Sequence, residues 1–264
     1  MLSRVLGERL TDQNKPVPFW QVLDDEIREG RVGEPKIVVV DYHKGNLSSV
    51  VRGLARAGAV ACTSDDPEQI RAADGLVIPG VGAFYDAIAF MREGGEADAV
   101  LDAGAAGTPL LGICLGLQLF FERGNEGVPV DEGADADDDA SEQAGGPWVD
   151  GLGIMRGSCT RLESSRLKVP HVGWDQVHMT PAGAADPLLA GFAEGANMYF
   201  THSYAVADDA DAADVLARTH YTRSFPCIVR HGNVWGCQFH PEKSSALGQR
   251  ILKNFVSIVE GAGR

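Results

Sequence analysis

The feature that most restricts this chain is the run Lys36 to Val40 (KIVVV), in which β-branched residues follow one another with nothing polar between them. A strand with one wet face alternates, so a strand that is apolar at every position needs cover on both sides, as in a parallel sheet sandwiched by helices. A matching helix follows: Leu47, Val50, Val51 and Leu54 recur at helical spacing, Asn46 can cap them and Gly58 can stop them. The alternation returns with a strand over 59–63, a short helix after Pro67, a strand GLVIP over 75–79, a helix over 84–92, a buried strand over 109–113 and a helix over 115–123. Repeated units of this kind predict an α/β fold: a doubly wound, mostly parallel central sheet flanked by helices.

Between 124 and 150 the pattern stops and Gly, Pro, Asp and Ala dominate, which reads as a disordered acidic insertion. Beyond it strand signals crowd together over 157–162, 172–179, 197–204, 215–221, 227–231 and 234–239, predicting a smaller antiparallel strand layer in the C-terminal half. The stripe Leu247, Ile251, Leu252, Phe255 and Ile258 closes the chain with an amphipathic helix. Residues 1–34 carry mixed charge with only a short apolar spacing and read as an N-terminal extension to a domain over 35–264.

Composition narrows the chemistry. The five cysteines are odd in number and widely spaced with no CxxC pair, against both a disulfide framework and a structural zinc site; no metal or other cofactor is expected. A formal net charge of −14 disfavours nucleic acid and anionic membranes as partners, and the eight acidic residues between Glu126 and Glu142 read as a solvated loop. No apolar run approaches the ~18 residues of a membrane span and no signal peptide opens the chain, so a soluble cytoplasmic protein is expected.

One cysteine stands apart. Leu111-Gly112-Ile113-Cys114-Leu115-Gly116-Leu117-Gln118 sets Cys114 between two glycines where a buried strand meets a helix. That is the pattern of a nucleophile elbow, a strained turn that exposes the sulfur and sets it at a helix N-terminus, where thiolate is favoured. Close strand–helix packing would give the same spacing. Near the C-terminus, Gln238-Phe239-His240-Pro241-Glu242-Lys243 runs a strand into a histidine with a carboxylate two residues on, so that Glu242 can orient His240 as base for Cys114. Acyl transfer also needs oxyanion donors: the N–H of Leu115 is one candidate. A second is the turn Pro79-Gly80-Val81-Gly82-Ala83-Phe84, which on local grounds could equally be an ordinary βα connection.

Taken together, GICLGLQ, PGVGAF and QFHPEKS resemble the class I, or triad, glutamine amidotransferases. Within them the chain is most similar to the glutaminase branch that serves imidazole glycerol phosphate synthases, through Asp41-Tyr42 with Gly45-Asn46-Leu47, Val169-Pro170-His171-Val172-Gly173-Trp174, Tyr199-Phe200 with His202-Ser203-Tyr204, and Lys243. The resemblance covers about residues 36–260. It implies Cys114, His240 and Glu242 as catalytic triad, Leu115, Val81 and Gly80 at the oxyanion hole, and Gly82, Gln118, His202 and Ser203 around a bound glutamine. It further implies Asn46, His171, Trp174, Tyr199 and Lys243 toward a (βα)8-barrel synthase partner in a heterodimer, which receives the ammonia.

His43, Asp175 and Thr222 depart from the branch's usual glycine, asparagine and glycine, and the acidic insertion is foreign to it. Three alternatives stay open on the sequence: the amidotransferase component of another synthase, a catalytically silent binding subunit, and a cysteine hydrolase acting on peptides or γ-glutamyl chains.

Overall fold

A computed structural model of the protein describes residues 35–43, 47–129 and 147–263. The expected extension over 1–34, the Asn46 cap and most of the acidic insertion lie outside the described residues.

The first half is built as alternating units. Strand β1 (Lys36–Val40) is followed by helix α1 (Leu47–Ala57), which stops at Gly58 in a left-handed conformation (φ 105°). Strand β2 (Val60–Ser64) leads to the short helix α2 (Pro67–Arg71), whose N-terminus is capped by the Asp66 side chain accepting from Glu68 N–H. Next come β3 (Gly75–Gly80), α3 (Phe84–Gly94), α4 (Glu96–Ala105) and β4 (Leu110–Cys114). The run in β1 divides its side chains as two-sided burial requires. Ile37 and Val39 join a core with Val50 and Leu54 of α1, whereas Val38 and Val40 join one with Ile88 and Met91 of α3 and Val100 of α4.

Two elements differ from expectation. Helix α4 is additional; its inner face is made of Ala97, Ala99, Val100 and Ala103, and alanines give little hydrophobic periodicity. After Cys114, helix α5 (Leu115–Gln118) lasts a single turn, and the chain then extends as strand β5 (Phe121–Gly124). Leu119, Phe120 and Phe121 are all buried, so a longer helix would have no polar face for solvent. The Phe120 carbonyl instead accepts from the N–H groups of Ile154 and Met155, both at 2.9 Å.

The second half is strand-rich: β6 (Val149–Asp150), β7 (Met155–Arg161), β8 (His171–Met179), the short helix α6 (Pro181–Ala185), β9 (Ala196–His202), β10 (Tyr204–Val206), β11 (Val215–His220), β12 (Ser224–His231) and β13 (Val234–Cys237). Helix α7 (Ser245–Ala262) closes it, with Ile251, Leu252 and Phe255 packed in the same core as α1. The large sheet has the order β2-β1-β3-β4-β13-β12-β11-β8-β9; only β8 and β12 run against the rest, and the other seven strands point one way. A smaller sheet, β10-β7-β5-β6, is antiparallel except between β5 and β7. The later strands thus extend the central sheet as well as forming the small one.

β4 is paired in parallel on both sides, with β3 and β13, so the carboxyl ends of three adjacent strands open at one edge. That edge is where open α/β sheets bind ligands. The fit there is tight: a Cβ at Gly116 would run into the Ile78 carbonyl of β3. Gly116→Ala is expected to destabilise the fold by roughly 3 kcal/mol or more. Gly261→Ala, which meets nothing within 4 Å on α7, should stabilise it by about 0.5–1 kcal/mol. Urea denaturation of the two variants measures both signs.

Candidate active site

Cys114 is the last residue of β4 and adopts φ 56°, ψ −109°, a conformation that costs an L-residue of order 1–3 kcal/mol. The strain is imposed from both sides. Gly80 of β3 pairs across from Cys114, Cys237 of β13 pairs with Ile113, and the glycines at 112 and 116 let α5 lie against the sheet without side chains in the way. Tyr42 donates its hydroxyl hydrogen to the Pro79 carbonyl and so pins the end of β3. Burial and the charge of Cys114 push the Tyr42 phenol well above its ordinary range, so it stays a donor. The Cys114 sulfur is 3.6 Å from Gln238 Nε2 and 3.9 Å from the Thr201 carbonyl.

Beyond β13 the chain runs through Gln238 and Phe239 to His240 and then turns at Pro241–Lys243. His240 is fastened to β9 by its backbone: its N–H donates to the Tyr199 carbonyl at 2.9 Å, and its carbonyl accepts from Ser244 Oγ at 2.6 Å. Its Nδ1 lies 2.9 Å from Glu242 Oε1, with both side chains buried. Nε2, also buried, has no hydrogen-bond partner. Burial pulls the imidazole pKa down, but the neighbouring Cys114 thiol and the hydrogen-bonded Glu242 carboxylate outweigh it and raise it to about 9. The structure therefore brings together Cys114, His240 and Glu242, which are far apart in the chain.

A cavity of about 470 Å³ opens onto Cys114 and is lined by Val81, Gly82, Leu115, Gln118, His202 and Ser203, six of the residues expected at the oxyanion hole and substrate pocket. Gly80 lies buried behind it. Burial, above all, lowers the His202 pKa to about 3, so that ring is neutral.

Glu126 also lines the cavity, with its pKa raised to about 7 by burial against a hydrogen bond from Phe84 N–H. In the sequence it opens the acidic run and reads as solvated; nothing local separates it from the acids after it. Gln238 was missed as well, although a glutamine amid the apolar residues at the end of a buried strand is a signal in itself.

Of the residues expected to face a partner, Trp174 is half exposed and stacks edge-on with half-buried Tyr199 at 5.9 Å, and Lys243 is exposed. Val172, 57% exposed, adds apolar surface to the same strand. His171 is different: at 1% exposure it is stacked on Phe200 and Tyr221 and cannot itself meet a partner. Asn46 lies outside the described residues. No group of His, Cys, Asp and Glu among the described residues is arranged to hold a metal ion, and no described helix is long and apolar enough to cross a membrane.

A family model described as "Glutamine amidotransferase class-I" matches residues 38–259. The chain belongs to that family. Among curated class-I amidotransferases it is 43% identical to the imidazole glycerol phosphate synthase subunit HisH of Geobacillus sp. (strain WCH70), over 86% of this chain and 99% of that protein. It is 44% identical to the HisH subunit of Halobacterium salinarum, over 83% of this chain and 92% of that one. A solved crystal structure of a glutamine amidotransferase shares the fold, with a TM-score of 0.59 at 19% identity over 85% of this chain and 98% of that one.

The raised pKa of His240 has a stability signature. Its proton is held more tightly in the folded chain than at the ordinary value of 6.5, so the stabilisation is fully present below about 6.5 and is lost as pH rises through about 9. The stability difference between the parent and His240→Asn, from urea denaturation at a series of pH values, is expected to shrink across that window.

Proposed function

We propose that this protein is the glutaminase subunit of an imidazole glycerol phosphate synthase, acting in the cytoplasm in histidine biosynthesis. The observation that carries the reading is the meeting of Cys114, held at a strained strand end, with the buried pair of His240 and Glu242 just beyond the end of the neighbouring strand.

In this reading the Cys114 thiolate attacks the side-chain amide carbon of glutamine, and the tetrahedral oxyanion is stabilised by the N–H of Leu115 and by the Gly80–Val81 segment. His240, oriented through Nδ1 by Glu242, delivers a proton from Nε2 to the departing nitrogen. The C–N bond breaks, ammonia leaves and a glutamyl thioester remains. His240 then takes a proton from water as the water adds to the thioester, and glutamate is released with the thiol restored. The site therefore turns glutamine and water into glutamate and ammonia.

Gly82, Gln118, His202 and Ser203 surround the substrate, and Glu126 faces its ammonium group. A carboxyl with a pKa near 7 in an empty pocket becomes fully ionised once a cation is beside it, so Glu126 rewards an α-ammonium. The exposed side chains of Val172, Trp174 and Lys243 supply the docking face for a (βα)8-barrel cyclase subunit. That partner joins the ammonia to a phosphoribulosyl formimino intermediate, giving imidazole glycerol phosphate and aminoimidazole carboxamide ribotide.

A glutamine-mimicking electrophile is expected to label Cys114 and not Cys114→Ala; absence of labelling with the partner present would leave only a binding subunit. Glutamate release should be weak for the isolated chain and rise with the cyclase and its ligand, with an alkaline limb near about 9 where the imidazolium is lost. Glu126→Gln removes a charged hydrogen-bond partner worth about 1.5–3 kcal/mol, so kcat/KM for glutamine should fall roughly 10- to 100-fold.

A further inference from the structure

Helix α3 begins directly after the turn over 80–83, and its first N–H groups need acceptors that lie outside the helix. Ala83 stands at the N-cap position and makes no side-chain cap. The acceptors come instead from Glu126, far along the chain. Its carbonyl accepts from Tyr85 N–H at 3.0 Å, and its carboxyl accepts from Phe84 N–H. One residue thus satisfies two donors of the helix, one with its main chain and one with its side chain.

The fit around this cap is close. A Cβ at Gly124 would run into the Phe84 ring at 2.6 Å, and one at Gly127 would meet Ala83 Cβ at 2.6 Å. Glycines on either side of Glu126 therefore let the segment over 124–127 lie against the start of α3. Val81, Gly82 and Ala83 line the same cavity as Glu126. Gly82 adopts φ 103°, so the Gly80–Val81 segment is joined to the capped helix through a left-handed residue.

A carboxyl so placed answers to charge on two sides. Accepting from an N–H at a helix N-terminus favours its ionised form, and a bond to an ionised acceptor is roughly twice as strong as a neutral one. Burial opposes ionisation and is the larger effect, which leaves the Glu126 pKa raised to about 7. An ammonium beside the carboxyl offsets that opposition. Binding the cation and strengthening the cap are then one linked equilibrium, each favouring the other to the same degree.

We infer that Glu126 is also a positioning residue: ionised by the α-ammonium of the substrate, it tightens the N-terminus of α3 and so holds the Gly80–Val81 segment where it meets the oxyanion. The inference rests on the proposed glutaminase reading and adds to it a reason for the α-amino group to raise kcat as well as affinity. Other ionisable groups bear on Glu126. The Tyr204 phenol of β10 and the Cys159 thiol of β7 are both raised by burial and stay neutral near pH 7; Cys114 and His202 share the cavity, and α3 carries Asp86 in its first turn.

Glutarate monoamide, which is glutamine without its α-amino group, separates the two roles. With the full-length chain, the cyclase and its ligand present, kcat is measured for both substrates over a pH series, and for Glu126→Gln and Glu126→Ala with glutamine. The monoamide brings no cation, so Glu126 must ionise unaided, and the ratio of its kcat to that of glutamine should rise roughly threefold or more from about pH 6 to about pH 8. Glu126→Gln keeps an acceptor for Phe84 N–H and Glu126→Ala keeps none; beyond a rise in KM common to both, kcat should be roughly fivefold higher in Glu126→Gln. A ratio that stays flat, or equal kcat in the two variants, overturns the inference while glutamate release by the parent upholds the glutaminase reading; no release by the parent brings down both. The ratio is measured on the parent and decides the matter even where Glu126→Ala folds poorly.

Discussion

Everything at the site depends on a backbone forced into an unfavourable turn at Cys114. A strain of order 1–3 kcal/mol persists only where the surroundings leave no alternative. Here β4 is locked in register between β3 and β13, with its side chains buried, and α5 is pressed so close that glycine is required at 112 and 116. The apolar strands are thus part of the catalytic apparatus in an indirect sense. Each fully buried Val, Leu or Ile contributes on the order of 1.5–3 kcal/mol, far more in sum than the turn costs.

The same strand order brings the imidazole to the sulfur. β13 lies beside β4 although well over a hundred residues separate them in sequence, and the His240 backbone is tied to β9 on its other side. Two histidines near the cavity then acquire opposite character from their partners. His240 meets a buried carboxylate and a thiol and is raised to about 9; His202 is buried deeply, and neighbouring positive charges add to that burial against the one carbonyl that favours its proton, so it falls to about 3. Burial lowers both, so the difference comes from what each nitrogen faces.

These contrasts also explain what could be read from the sequence. The parallel half was legible because KIVVV and GLVIP call for two-sided burial, and the glycines around Cys114 mark a close approach of strand and helix whether or not the turn is a nucleophile elbow. Helix α4 escaped because alanine buries well while scoring weakly, and α5 was drawn too long because a run of apolar residues suits a helix or a buried strand equally. Glu126 and Gln238 were hidden for another reason: their roles come from long-range placement in the pocket and beside the sulfur. The resemblance places His171 toward a partner, but a motif records that a histidine is present and says nothing of the aromatic rings that enclose it.

The burial of His171 alters how the docking face and the pocket relate. Were its ring exposed, the only route from strand β8 to Cys114 would be through the backbone of the sheet. Because it is enclosed, with one nitrogen on Asp175 and the other on His202, side-chain contacts run from the docking face as far as the Tyr204 carbonyl, which also accepts from Gln118. Hydrogen bonds in such a chain polarise one another in a low-dielectric interior, so a change at one end is felt more strongly at the other than isolated pairs would allow. The outer end of this line lies beside the residues proposed to meet the cyclase, and its inner end, the Tyr204 carbonyl, lies at the wall of the cavity, so the docking face and the pocket share one buried set of contacts.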